Sequence, residues 1–294
     1  MKITVFTPTF NRAYTIGNLY HSLQKQTYWD FEWIVVDDGS TDGTEAFFSK
    51  ILKEKNFFQI IYRKQKNGGK HRAINKGVGL ASGELFFIVD SDDYLVENAL
   101  EKIIEVEHTI SCTEKKYFAG VCGLKGYSKE KSVGQSFEGE MLDITMLERE
   151  KYNIFGDKAE VFFTNILKQY PFPTYEGENF LTECVVWDKI AFDGYKLRFF
   201  NEVIYICDYL PDGLTAHVDD LHKNNPKGYG LYLAQSAQFN KIKGLYKWNQ
   251  YLQYYYAHRK ELKFKEIAKN LQMNPVFLYV RLLGMRLFYK VYDC

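Results

Sequence analysis

Three aspartates stand within four positions of the stretch IVDSDDYL, at Asp90, Asp92 and Asp93. They directly follow an apolar run at 85–89, which is typical of a buried strand. Carboxylates this close repel one another, so a folded chain that gathers them needs a positive partner. Because Mg²⁺ is commonly held by one or two carboxylates and by substrate phosphate oxygens, the cluster predicts a divalent metal site. Capping of the following helix explains any one of these acids, but not all three.

A second acidic pair ends another apolar run. Asp37 and Asp38 follow the stretch FEWIVV and precede Gly39. A carboxylate at a strand end can accept hydrogen bonds from a nucleobase or a ribose, whereas the Asp-Gly-Ser pattern indicates a turn. Taken alone, this stretch is explained better by the turn.

The stretch KNGGKHRAINKG combines glycines with basic residues. Gly68 and Gly69 permit close approach of other backbone, and Lys70, His71 and Arg72 follow at once. A glycine-rich loop that opens a helix is suited to binding an anion. The chain lacks the GxxxxGK[ST] of a Walker A loop, and GxGxxG is absent after the first predicted strand, so neither of these common nucleotide-binding motifs applies.

Strand and helix patterns alternate four times in the first part of the chain. Such repeats predict a parallel sheet with helices on both faces, and ligands of these sheets bind beyond the carboxyl ends of the strands. The polar stretches TPTFNR, DDGSTDG and DSDD follow the first, second and fourth predicted strands, so we expect them to form one site. Further on, residues 211–230 (PDGLTAHVDDLHKNNPKGYG) are polar and rich in Gly and Pro, which predicts a mobile loop. The chain beyond about Tyr229 is predicted to be helical.

Composition limits the class of protein. The 294 residues are 46% hydrophobic and 26% charged, which is ordinary for a globular protein with one or two domains. The five cysteines form no CxxC pair, so we expect reduced thiols rather than disulfides or a zinc site. The N-terminus lacks a signal-peptide pattern, and no uncharged apolar run approaches the roughly 20 residues of a membrane span. These features predict a cytoplasmic protein.

Charge is distributed unevenly along the chain. Residues 241–294 hold 11 Lys and Arg against 3 Asp and Glu, a net +8, so the remainder carries −7 of the total of +1. A basic stretch interleaved with aromatic residues can lie in a membrane interface, on the inner face of the cytoplasmic membrane. The competing interpretation is a terminal helix that packs on the catalytic domain or forms a homodimer contact. No nucleic-acid-binding module is recognisable, so we expect no nucleic-acid partner.

The stretches TPTFNR, IVVDDGSTDGT, GGKHRAINKG, ASGE and IVDSDDYL, in this order and spacing, resemble those of family 2 glycosyltransferases. The resemblance covers about residues 1–110 and continues more weakly to about 215. It implies a GT-A fold, an α/β arrangement in which helices flank a mixed, mainly parallel sheet. The implied domains are a catalytic domain at 1–228, with a nucleotide-sugar-binding part at 1–110 and an acceptor-binding part at 111–228, and a helical basic-aromatic extension at 229–294.

The same resemblance implies roles for individual residues. Asp38 matches the strand-end acid that contacts the nucleotide base. The positions implied to bind the nucleotide sugar are Pro8, Thr9, Phe10, Asp38, Lys70, Arg72, Asp90, Ser91 and Asp92. The metal, Mg²⁺ or Mn²⁺, is implied to bind at the DXD motif of Asp90 and Asp92, with Asp93 as an extra acid.

The catalytic base is implied at the start of a later helix. Relatives usually present a Glu-Asp pair there, with the aspartate as base, whereas this chain has Thr182 and Glu183. We assign Glu183, ahead of Glu178 and Asp188. An acid in the first turn of a helix is also favoured by the helix dipole alone, which is the competing interpretation.

Weaker assignments concern the acceptor side. Asp157 and Lys158 are acceptor-site candidates, and His217 either assists at the diphosphate or is a solvated loop histidine.

The resemblance thus implies inverting, metal-dependent transfer from a nucleoside-diphosphate sugar, with UDP favoured, to a saccharide or lipid-linked saccharide in cell-surface polysaccharide synthesis. Two other functions are weighed against it: a non-catalytic sugar-nucleotide-binding module and a sugar-nucleotide pyrophosphorylase. The pyrophosphorylase is disfavoured because TPTFNRAYT is not a glycine-rich basic loop.

Overall fold

The computed structural model describes residues 1–207, 210 and 212–292, with side chains up to residue 286. The strands are β1 (Ile3–Thr9), β2 (Phe31–Asp37), β3 (Gln59–Lys64), β4 (Leu85–Ile88), β5 (Tyr94–Leu95), β6 (Phe118–Ser128), β7 (Lys131–Ser132), β8 (Met141–Ile144), β9 (Lys158–Phe163) and β10 (Lys196–Ile206). The α-helices are α1 (Ile16–Gln24), α2 (Thr44–Ile51), α3 (Lys70–Leu80), α4 (Ala99–His108), α5 (Thr164–Leu167), α6 (Cys184–Phe192), α7 (Val218–Asn224), α8 (Pro226–Gln238), α9 (Gly244–His258), α10 (Phe264–Asn270) and α11 (Pro275–Tyr292). Short 3-10 helices span Lys115–Tyr117, Met146–Tyr152 and Leu214–His217.

The strands form one mixed sheet in the order β3-β2-β1-β4-β9-β6-β10-β5. The first four strands in this order are parallel, and they come from the predicted strand–helix repeats. Beyond β4 the direction changes, because β9 pairs antiparallel with both β4 and β6. The carboxyl ends of β1, β2 and β4 therefore lie side by side at one edge.

Both faces of the parallel strands are covered. All seven residues of β1 and of β2 are buried. Alternate residues enter different core layers, so Val5 and Trp33 lie in one layer while Phe6 and Ile34 lie in the other. Burial on both faces explains why these strands are continuous apolar runs in the sequence.

The C-terminal helices have a core of their own. Leu252, Ile267, Leu278 and Leu282 are buried together there. Helix α8 connects this core to the sheet, because its Leu231 packs in the sheet layer. The predicted boundary between residues 228 and 229 falls inside α8, and the division into two domains stays a prediction. Among the described residues, no helix combines the length and the apolar character needed to cross a bilayer.

The predicted mobile loop at 211–230 is wrong for most of its described residues. A 3-10 helix, α7 and the start of α8 occupy this stretch. Asp219 and Asp220 lie in the first turn of α7, where negative charge favours a helix, and Pro226 begins α8. Because proline is tolerated at a helix start, Pro226 marks the beginning of α8 and not a loop.

Candidate active site

A cavity of about 1020 Å³ opens at the carboxyl ends of β1, β2 and β4. One wall consists of residues 8–12, Asp38 and 90–93, which confirms that the three polar stretches meet at one site. Across from them lie Asn179, Phe180 and the segment that includes residues 212–216. The N-terminal strand–helix repeats therefore build one side of the cavity, and later parts of the chain build the other.

Asp38 anchors the glycine loop within this wall. Its Oδ1 accepts hydrogen bonds from Gln65 Nε2 at 2.8 Å and from the Gly68 amide at 2.9 Å, and its Oδ2 accepts from the Gly69 amide at 2.7 Å. Charge-assisted bonds to backbone amides are among the stronger hydrogen bonds in proteins. The neighbouring Asp37 instead accepts from the Ser40 amide, so the turn interpretation applies to Asp37.

Lys70 links two acids of the site. Its Nζ lies 2.7 Å from Asp90 Oδ1 and 2.8 Å from Glu183 Oε1. Burial opposes its charge, but the two carboxylates together hold the pKa of Lys70 above its usual value. Burial likewise opposes ionisation of Asp90, yet Lys70 holds the pKa of Asp90 below its usual value. Lys70 thus remains a cation in contact with both carboxylates.

The three clustered aspartates have separate partners. Asp90 pairs with Lys70, whereas Asp93 accepts a hydrogen bond of 2.6 Å from the hydroxyl of Tyr205. Burial raises the pKa of Asp93 to about 7, and the charge of Asp90 adds to the shift. Asp92 lies 3.5 Å from Arg12 Nε, and burial and Asp90 raise its pKa. The cluster therefore does not converge on one point.

The predicted metal site would be built around Asp92. Within the part of the chain that the structure describes, no three His, Cys, Asp or Glu side chains form a metal-binding group. The Asp92 carboxylate does line the cavity; its pKa is raised first by burial and second by the charge of Asp90, and a cation beside it would oppose both effects. One carboxylate with a second nearby fits Mg²⁺ or Mn²⁺ that arrives with substrate phosphates, rather than a preformed protein cage.

The candidates for the base differ in their surroundings. Glu183 is the N-cap residue of α6 and reaches the cavity through its ion pair with Lys70, without lining the cavity itself. Both carboxylate oxygens of Glu178 accept from backbone amides, those of Lys227 and Gly228, at the start of α8. Asp188 pairs with Lys241 at 2.6 Å. Glu178 and Asp188 therefore have structural partners away from the cavity, whereas the partner of Glu183, Lys70, lines it, and the choice of base stays a prediction.

Two other predicted residues, Arg72 and Lys158, lie differently than expected. The Arg72 guanidinium donates to backbone carbonyls and does not line the cavity. Lys158 is buried, and its ammonium donates to backbone carbonyls that include that of Phe155. His217 ends a 3-10 helix and is not among the cavity residues, whereas Asp157 is.

The sequence analysis missed three side chains of the site. Arg12 contacts Asp92 and also donates from Nη1 to Asp212 at 2.9 Å. Lys125 lines the cavity with its Nζ 4.1 Å from the centroid of the Tyr205 ring. Arg12 belongs to TPTFNR, so that motif could have revealed it. Lys125 and Tyr205 lie in β6 and β10 without a local signal, and only strand pairing brings them to the acids.

Comparison with known proteins identifies the class of enzyme. Residues 4–109 match the model described as glycosyl transferase family 2. The GalNAc(5)-diNAcBac-PP-undecaprenol beta-1,3-glucosyltransferase of Campylobacter jejuni subsp. jejuni is 29% identical over 280 residues, covering 84% of this chain and 86% of that relative. The chain is a glycosyltransferase, and its residues 4–109 match family 2.

Solved structures show the fold of this glycosyltransferase. Staphylococcus aureus TarS 1-349, in complex with UDP-GlcNAc, superimposes with a TM-score of 0.60 at 21% identity, over 89% of this chain and 73% of TarS. The mannosyltransferase PcManGT of Pyrobaculum calidifontis, in complex with GDP-Man and Mn²⁺, gives a TM-score of 0.54 at 17% identity, over 97% of this chain and 86% of the other. The expected GT-A fold and the expected enzyme class are confirmed.

Proposed function

We propose that this glycosyltransferase moves a sugar from a UDP-sugar to a hydroxyl of a lipid-linked saccharide, with inversion at the anomeric carbon, in cell-surface polysaccharide synthesis. The observation that carries the proposal is the cavity in which Asp38, Lys70, Asp90 and Asp92 meet. The Campylobacter relative is named for an undecaprenol-linked substrate, and TarS was solved with UDP-GlcNAc. Both names support this choice of donor and acceptor.

The nucleoside part of the donor is proposed to bind between the first loop and the glycine loop. Pro8, Thr9 and Phe10 line this end of the cavity together with Asp38. Phe10 is 45% exposed, so its ring offers a surface on which a base can stack. Asp38 shapes the pocket by holding the glycine loop in place.

The diphosphate part is proposed to bind near Lys70 and the DSDD stretch. Lys70 offers an ammonium to the phosphate oxygens, and Ser91 lines the cavity between the two acids. Asp92, with Asp90 beside it, would hold Mg²⁺ or Mn²⁺. Such an ion neutralises charge on a departing diphosphate.

Glu183 is proposed as the general base. Its carboxylate takes the proton of the acceptor hydroxyl while the acceptor oxygen forms a bond to the anomeric carbon. The bond from that carbon to the diphosphate oxygen breaks on the opposite face, and the electron pair leaves with the diphosphate. Lys70 orients Glu183 before the acceptor arrives, through the 2.8 Å ion pair.

Titration calorimetry with UDP, GDP, dTDP and CDP, each with Mn²⁺ and with EDTA, tests the donor site. We expect UDP to bind best, and only with Mn²⁺, and Asp92→Asn to weaken this binding at least about tenfold. Equal UDP affinity in Mn²⁺ and EDTA would contradict the metal assignment. Preference for another nucleotide would replace UDP as the donor.

The base is tested by UDP release from UDP-sugars in the presence of polyprenyl-linked saccharides. Glu183→Gln is expected to lower turnover on the order of 100-fold or more while UDP affinity stays within twofold. Glu176→Gln, which changes an exposed acid seven residues before Glu183, serves as the matched control. Normal turnover in Glu183→Gln would refute this base.

We further propose that α11 lies on an anionic membrane surface. Its Leu278, Leu282 and Met285 are buried against the other C-terminal helices, whereas Val276 and Val280 on the outer face are 72% and 59% exposed. Helical spacing places Arg281 and Arg286 on either side of this outer face. Apolar side chains flanked by arginines, in a segment of net charge +8, match an interface of anionic lipid.

Flotation with vesicles of phosphatidylcholine, prepared with and without about 30% of the anionic lipid phosphatidylglycerol, tests this contact. Binding is expected to need the anionic lipid and to fall at least about tenfold in Val280→Glu but not in Gln253→Glu, an exposed α9 control. If α11 instead contacts a second copy of the chain, light scattering will show a dimer that Val280→Glu dissociates, and neither protein will float.

A further inference from the structure

The glycine loop touches the segment that leads to the proposed base. Gly69 has a φ of +96°, and a Cβ built there would lie 1.7 Å from the carbonyl oxygen of Asn179. The loop that Asp38 anchors and the backbone of segment 175–183 are therefore in direct contact. Only glycine permits this approach, because any side chain would overlap the carbonyl.

Arg72 joins the two sides of this contact. Its Nε donates to the Gly68 carbonyl at 3.0 Å, and its Nη2 donates to the carbonyls of Tyr175 at 2.6 Å and Glu178 at 3.2 Å. A guanidinium can do this because its donors point in fixed, different directions in one plane. One side chain thus bonds to the glycine loop and to two carbonyls of segment 175–183.

The opposite side of the segment is fixed to α8. The Glu178 carboxylate accepts two backbone amides at 2.8 Å each, from Lys227 and Gly228. Asn225 Oδ1 accepts from the amides of Asn179 at 2.8 Å and Phe180 at 3.0 Å. Segment 175–180 is therefore held on α8 by side chains, and Arg72 bonds it to the glycine loop.

We infer that Arg72 is a positioning residue for Glu183 and not a ligand of the donor. This inference rests on the proposed function, in which Glu183 is the base. Glu183 follows the held segment directly, and its second connection to α3 is the ion pair with Lys70. Arg72 fixes the backbone that carries the base relative to the loop that surrounds the nucleotide, so that acceptor hydroxyl and anomeric carbon meet at the correct distance.

The test separates turnover from donor affinity. Arg72→Met is expected to lower kcat on the order of 100-fold, the usual consequence of misplacing a catalytic group by about 1 Å, with UDP affinity in Mn²⁺ within twofold. Arg72→Lys is expected to recover only part of kcat, because an ammonium cannot reproduce the planar set of donors. Arg63→Met, which alters an exposed arginine of β3, is the matched control and should leave both quantities unchanged.

A tenfold or greater loss of UDP affinity in Arg72→Met or Arg72→Lys would overturn the inference in favour of a donor ligand. Unchanged kcat in both variants would overturn it as well. If Arg72→Met does not fold, the same two readouts on Arg72→Lys decide. Glu183→Gln, assayed in parallel, distinguishes failure of the proposed base from failure of the positioning role. Normal turnover in Glu183→Gln refutes the proposed base. A large loss of turnover in Glu183→Gln, with normal turnover in both Arg72 variants, refutes only the positioning role.

Discussion

The two sides of the cavity are built in different ways. On the proposed donor side, consecutive strand–helix units place their polar residues at one edge of a parallel sheet, so Asp38 and the DSDD stretch lie there because of local sequence. On the proposed acceptor side, segment 175–183 has no such repeat; Arg72 donates to its carbonyls, Asn225 Oδ1 accepts from its amides, and Glu178 within it accepts from amides of α8. A parallel sheet fixes the position of its strand-end loops through backbone pairing, whereas the acceptor side depends on a few side chains.

The contact between the two sides should be sensitive to a single methyl group. Gly69→Ala places a Cβ 1.7 Å from the Asn179 carbonyl oxygen and also strains a backbone with φ of +96°. We expect the free energy of unfolding to fall by more than about 3 kcal/mol, measured by urea denaturation.

Gly177→Ala is the matched control for that substitution. Gly177 also has a positive φ, of +80°, but nothing lies within 4 Å of a Cβ built there. The expected loss is about 1–2 kcal/mol, from backbone strain alone. Equal losses in both variants would mean that the close approach of the donor loop and the acceptor segment contributes nothing to stability.

A smaller effect is expected from His71, which is buried in α3 beneath the glycine loop. Burial, assisted by the charge of Arg72, lowers its pKa to about 4, although Asp38 and Glu183 oppose the shift. Because the folded pKa lies below the unfolded value of about 6.5, His71 stabilises the fold above pH 6.5 and this stability is lost as the pH falls toward 4. The loss by pH 5 is about 2 kcal/mol.

Urea denaturation of wild type and His71→Gln between pH 7.5 and 5 measures this contribution. The free energy of unfolding of wild type should decrease more steeply than that of the variant, since glutamine does not titrate. If the free energy of unfolding has the same pH dependence in both proteins, protonation of His71 does not affect stability.

The smallest effect on stability is expected at Asp212, which lines the cavity and bonds to the first loop. Asp212 accepts from Arg12 and from the Tyr14 hydroxyl at 2.8 Å, but it is exposed, and exposed ion pairs contribute little to stability. Asp212→Asn should leave the melting temperature unchanged. Hydrogen exchange of the amides at 213–217 should become faster, because this contact ties them to the first loop.

Asp220→Asn, an exposed acid of α7, is the control for this measurement. If neither variant alters exchange at 213–217, the contact between Asp212 and Arg12 does not restrain the segment. Segment 213–217 would then be held independently of its ion pairs, whereas the glycine loop depends on its close contact at Gly69.

The sequence by itself determined the fold class, indicated the family of residues 4–109 and identified most of the cavity wall at the carboxyl ends of β1, β2 and β4. The apolar runs that end in Asp38 and Asp90 could be recognised because strands buried on both faces are continuous in the sequence, and their polar ends share an edge by topology. The helical C-terminal region was also predicted. Helices at 214–230 were missed because Pro226 begins α8 and Gly228 and Gly230 lie within it, and local composition does not distinguish such residues from those of a loop.

Tertiary structure alone decided which charges meet. Lys125 and Tyr205 reach the acids through the pairing of β6 with β10, a contact between residues far apart in sequence. Glu178 accepts from backbone amides that are available because α8 begins there, and Arg72 donates to backbone carbonyls of segment 175–183. These partners are brought together only in the folded chain. The type of a side chain can be read in the sequence, but its partner is fixed by packing between segments.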